Sequence, residues 1–108
     1  YYTGNAVPQD QRHAVGWFRK AAEQGHAEAQ HALGLMYRYH QAGMPQDKVL
    51  AYMLWNLAAA SGNHNAVEQR AAISRQMTQE QIEEAQAMSR TCRPGRPLPT
   101  SSRTGSNS

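Results

Sequence analysis

Up to Arg90, apolar residues recur with the period of an α-helix. Ala14, Trp17, Phe18, Ala21 and Ala22 fall at i, i+3, i+4, i+7 and i+8, the stripe by which a helix turns one face to a core. Asp10 precedes them as an N-cap, because its carboxylate can accept from the open amides of a first turn. Gly25 follows as a stop, since glycine enters the left-handed region at little cost. Ala29, Ala32, Leu33, Met36 and Tyr37 repeat the stripe and predict a helix from about Ala27 to Tyr39. Gly34 lies in its middle. A glycine there weakens a helix by about 1 kcal/mol against alanine, so the pattern assigns it a packing purpose: close approach of the next helix. Asp47, Ala51, Leu54, Trp55, Ala58, Ala59 and Gly62 predict a further capped and stopped helix. A weaker pattern runs through Ala66, Val67, Arg70, Ala71 and Ile73. Thr78 and Gln81 then form a capping box for a helix from Gln79 to about Arg90, with Ile82, Ala85, Met88 and Ser89 on its thin apolar side.

These elements repeat. At an offset of 37, Pro8, Gln9 and Asp10 recur as Pro45, Gln46 and Asp47, and Ala14 as Ala51. Ala21, Ala22, Gly25 and Ala29 recur as Ala58, Ala59, Gly62 and Ala66. Trp17 and Phe18 become Leu54 and Trp55, which keeps bulk at both places. Self-similarity at this period marks a repeat array of helix-turn-helix units. A more polar last helix suits the end of such an array, where one face meets water.

Composition narrows the class further. The chain holds 17 alanines but only 6 valines and isoleucines together, too few to fill a pleated sheet. The longest near-apolar run, Val49 to Ala60, covers 12 residues and includes Asn56. A membrane-spanning helix needs about 20 apolar residues, so no span is expected. The net charge of +3 is carried by Arg93, Arg96 and Arg103; before them, 8 basic residues balance 8 acidic ones. A neutral body offers no basic footprint for phosphate, so nucleic acid is not an expected partner. From Thr91 the chain turns to proline, glycine and serine with no acid, and residues 91–108 read as a disordered basic tail. Its Pro94 and Pro97, flanked by Arg93 and Arg96, also suit a proline-recognising domain. Cys92 is the sole cysteine, read as an exposed thiol that forms no internal disulfide.

The residues Tyr1, Gly4, Val7, Asp10, Ala14, Trp17, Ala21, Ala22, Gly25, Ala29 and Gln30 resemble the pattern of the Sel1-like repeat, a subclass of the tetratricopeptide-like α-solenoids. A second copy reads Leu33, Gly34, Tyr37, Gly43, Asp47, Ala51, Trp55, Ala58, Ala59, Gly62 and Ala66. Ala6 stands at one family glycine, His40 and Gln41 replace another, and the second loop carries one extra residue. The resemblance implies an all-α, helix-turn-helix repeat α-solenoid of about two repeats plus a capping helix. Residues 1–36 are the first repeat, and 37–76 the second with the start of a degenerate third. Residues 77–90 form the capping helix, similar to the end seen in bacterial members. With no initiator Met, the chain reads as a fragment whose first repeat is truncated at its N-terminus. Only Tyr1 and Tyr2 precede it as partners for Trp17 and Phe18, so that edge is expected to be partly exposed and open to self-association.

The resemblance implies a non-catalytic scaffold or adaptor that holds another protein or peptide on its concave face. In such arrays the first helix of each unit lines that face. The side away from the core stripe offers His31, Leu35 and Arg38, and 37 residues on stand Glu68, Ala72 and Arg75. Two guanidinium groups one repeat apart suit a carboxylate through paired hydrogen bonds. The alternative is a β-lactamase-like penicillin-binding hydrolase, as described for cysteine-rich relatives with a Cys pair in each repeat; these repeats contain none. No metal, cofactor or catalytic residue is expected. His13, His26, His31, His40 and His64 lack the His-Glu-x-x-His spacing, and no phosphate-cradling Gly-x-x-x-x-Gly-Lys loop occurs. Glu80, Glu83 and Glu84 suit the start of a helix through its dipole, and Trp17, Phe18 and Trp55 read as core aromatics. The remaining structural positions are Asp10, Gly25, Gly34, Asp47 and Gly62. The compartment stays open between cytoplasm and periplasm or exterior.

Overall fold

Proline fits the first position of a helix, where its missing N–H needs no partner and its fixed φ is already helical. The first helix, α1 (Pro8–Glu23), begins in this way. A computed structural model describes residues 8–39, 47–92, 95, 98 and 99, with side chains from residue 13 onward. Asp10 is therefore not the N-cap: Pro8 starts the helix two residues earlier and leaves Asp10 inside the first turn. Tyr1, Tyr2, Gly4, Ala6 and Val7 lie outside the described residues, as do His40, Gln41 and Gly43.

Four further helices follow among the described residues: α2 (Ala27–Tyr39), α3 (Lys48–Ala60), α4 (His64–Ser74) and α5 (Gln79–Thr91). No strand occurs among them. The two glycine stops work alike. Gly25 and Gly62 take φ of 96° and 99°. His26 N donates to Ala21 O at 3.1 Å and Gly25 N to Ala22 O at 3.0 Å. One repeat later, Asn63 N donates to Ala58 O at 3.0 Å and Gly62 N to Ala59 O at 3.0 Å. Each pair is a Schellman closure, which satisfies the last carbonyls and turns the chain into the next helix.

The caps differ in kind. Asp47 is the N-cap of α3: its Oδ1 accepts from Leu50 N at 3.1 Å, and its own N–H donates to Tyr37 O at 3.1 Å. Asn63 caps α4 by accepting from Ala66 N at 2.9 Å. The capping box of α5 forms as predicted, with Gln81 N donating to Thr78 Oγ1 at 3.1 Å and Thr78 N to Gln81 Oε1 at 2.9 Å.

The core is built around α3, which packs against α2, α4 and α5. Its residues from Val49 to Trp55 are all buried, together with Ala58. A helix apolar on all sides belongs in such a central position. Asn56, the polar residue in this run, accepts from Arg70 Nη1 and donates to Ser89 Oγ at 2.9 Å, so its amide is satisfied between α4 and α5.

Gly34 meets Trp55 at the α2–α3 contact. A Cβ on Gly34 would stand 2.5 Å from Trp55 Nε1 and 2.9 Å from Cδ1 and Cε2. The indole N–H donates to His31 O at 3.1 Å. Trp17 is not a core residue: it is 74% exposed, while Leu54, its counterpart one repeat on, is buried. The two helices differ in how far they are surrounded: α3 packs against α2, α4 and α5, whereas α1 packs chiefly against α2.

The chain beyond α5 also departs from expectation at its described positions. Leu98 is buried rather than disordered, and Cys92 is half-buried with its thiol 3.8 Å from Met53 Sδ. A large apolar side chain has somewhere to go here, because α1 and α3 leave a cleft between their C-terminal ends.

Candidate protein-binding surface

Helix α2 lies between α1 and α3, so a wide arc of it is covered. Ala29, Gln30, Leu33, Gly34 and Tyr37 are buried. Of the six positions expected on the open side, His31, Leu35 and Arg38 are half-buried, while Glu68, Ala72 and Arg75 are exposed. Leu35 packs partly against the core. His31 turns its ring toward Trp55, with centroids 6.5 Å apart and planes tilted by 41°, and its Nε2 is buried without a hydrogen-bond partner. Desolvation by burial lowers its pKa below the usual imidazole value, against a smaller raising effect from Glu28. The ring is therefore held neutral further into the acidic range, and it acts as packing more than as a charged contact.

Arg38 carries the connection to the next unit. Its Nη1 donates to Gln76 Oε1 at 3.1 Å, which ties the end of α2 to the residue after Arg75. Its guanidinium also lies 5.2 Å from the centroid of the Tyr39 ring, a cation–π distance. Tyr39 is 53% exposed, so an aromatic adjoins the arginine on the accessible side. Sequence reasoning missed Tyr39 and Gln76. Tyr39 is legible only as an aromatic off the core stripe, and Gln76 has no local signal.

On the other side of α2, Arg19 Nη2 donates to the Tyr37 hydroxyl at 2.6 Å and joins α1 to α2. Trp17 and Phe18 line a shallow groove with Ala21, Ala27 and Ala29, bordered by His26 and Glu28. None of the described helices is long and apolar enough to cross a membrane.

Successive packed helices joined by equivalent Schellman turns at a 37-residue spacing define a helix-turn-helix solenoid. The model of the Sel1 repeat matches residues 1–26 and 27–63, so the chain belongs to the Sel1 repeat family. The second match starts at α2 and takes in α3, pairing the helices that meet at Gly34 and Trp55. No curated protein matches the chain. Sel1 repeats are in general protein-interaction modules, and their all-helical fold is typically non-catalytic.

Proposed function

We propose that the chain is a non-catalytic scaffold that holds a partner protein across the ends of α2 and α4. His31, Leu35 and Arg38 contribute from α2, and Glu68, Ala72 and Arg75 from α4 and its cap. The observation that carries this reading is the Arg38–Gln76 hydrogen bond, which brings the C-terminal ends of the two helices together beside the exposed Arg75. Arginines at adjoining helix ends favour a carboxylate, from an acidic side chain or a chain terminus. Tyr39 adds an aromatic surface next to it. Hydrolase chemistry of the cysteine-rich branch has little support, since the only cysteine is Cys92, outside both matched repeats.

The test is partner capture from native lysate. Arg38→Ala with Arg75→Ala should reduce capture at least tenfold, on the order of one charge-assisted hydrogen bond lost, with helix content unchanged. Undiminished capture by the folded double variant would remove the arginines from the site.

We further propose that a second copy of the chain docks on the α1 face that carries Trp17. Exposed apolar surface of this kind favours association. Sedimentation should show dimer for the native chain and monomer for Trp17→Gln; a native chain that stays monomeric at high concentration contradicts this.

A further inference from the structure

The cleft between the C-terminal ends of α1 and α3 is already occupied, and its occupant shows what it recognises. Leu98 enters it and is 8% exposed. Glu23 takes two main-chain donors from the same segment. Its carbonyl accepts from Gly95 N at 2.6 Å, and its carboxylate accepts from Leu98 N at 3.2 Å. A leucine seated in a cleft with its own N–H held by a carboxylate is recognised in two ways: main-chain bonds give affinity and the side-chain pocket gives choice.

The fit is incomplete. About 200 Å³ remains beside Leu98, walled by Ala22, Gln30, Leu57, Ala60 and Cys92. Gln30 is 5% exposed, and its Oε1 is buried with no partner. The orientation of this amide is set by chemistry, because Nε2 donates to Ala22 O at 3.1 Å and a carbonyl can only accept. The oxygen therefore waits for a donor. The chain's own segment is poorly equipped to supply one, since Leu98 stands between Pro97 and Pro99 and neither has a backbone N–H.

We propose that this cleft is a docking site for a leucine-bearing segment of a partner protein, and that Leu98 is its intramolecular competitor. The preferred partner segment carries an N–H-bearing residue directly after the leucine, which gives Gln30 Oε1 the donor that Pro99 withholds. This surface lies on the side of α1 and α3, apart from the arginine surface at the ends of α2 and α4.

Cys92 makes the cleft readable, because it lines the wall and is the only cysteine. The experiment follows its alkylation by iodoacetamide in the full chain. Leu98→Ala should raise the rate about tenfold with unchanged far-UV circular dichroism. The probes are synthetic peptides with the sequence of residues 94–100: the native one, one with Pro99→Asn and one with Leu98→Asp. The native peptide should restore protection in the Leu98→Ala chain. The Pro99→Asn peptide should do so at about a tenfold lower concentration, and the Leu98→Asp peptide should not protect. Equal alkylation of native and Leu98→Ala chains overturns the proposal, as does protection that ignores the leucine or is absent. A native chain whose Cys92 protection disappears on dilution would make a second copy's tail the occupant, and would overturn the intramolecular competitor. If Leu98→Ala loses helix content, Glu23→Ala releases the same segment with the leucine intact and is read the same way.

Discussion

Trp55→Ala is expected to cost about 4 kcal/mol, within the range for deleting a large aromatic from a core. Trp55 is fully buried and the largest such side chain in the molecule. Its removal leaves a void at the α2–α3 contact and deletes the donor to His31 O. A chain of 108 residues has a total stability on the order of 5–15 kcal/mol, so the variant gives up a large share of it. Urea unfolding followed by far-UV circular dichroism measures the loss. Trp17→Ala, compared at a concentration where both chains are monomeric, provides the internal control, because the same residue type at 74% exposure has little packing within its own chain to lose. A Trp55→Ala loss below 1 kcal/mol would mean that the α2–α3 contact is not the centre of the fold.

The repeat made most of the fold legible. Offset and period together place the helix ends, since the Gly25 and Gly62 turns depend on local chemistry that recurs with the sequence. Where the local signals compete, they mislead. Asp10 matches Asp47 in sequence and the same Pro-Gln-Asp triplet holds both, yet α1 starts at Pro8 while α3 starts only after Asp47, so the triplet alone does not fix where a helix begins. Periodicity also names the apolar face of a helix without saying what lies against it. Trp17 sits on the stripe as Leu54 does, yet α1 packs chiefly against α2 while α3 is surrounded by α2, α4 and α5, and only Leu54 is buried.

The surface positions were less legible for a related reason. A helix with neighbours on two sides has a buried arc wider than its stripe, so His31 and Leu35 are half-buried although they lie off the line from Ala29 to Tyr37. The contacts that shape the candidate sites join residues far apart in the chain. Arg38 reaches Gln76, and Glu23 reaches Gly95 and Leu98. One leucine in a proline-rich tail has no periodicity, and its burial follows from a cleft assembled by α1 and α3.

Gly34→Ala is expected to destabilise the chain by about 2 kcal/mol, against the direction of helix propensity. In an isolated helix, alanine would be favoured over glycine by about 1 kcal/mol. Here the added methyl would lie 2.5 Å from Trp55 Nε1 and within 2.9 Å of two more indole atoms. An indole is rigid and fully buried, and its N–H is committed to His31 O, so it cannot move aside without losing that bond. Overpacking of this kind costs about 1–3 kcal/mol, occasionally more, which outweighs the propensity gain. The decisive comparison is a double-mutant cycle with Trp55→Leu, which removes the ring that causes the clash. In that background Gly34→Ala should become neutral or stabilising, giving a coupling of about 2 kcal/mol between contacting sites. If the alanine costs the same in both backgrounds, Gly34 is required by something other than the approach of Trp55.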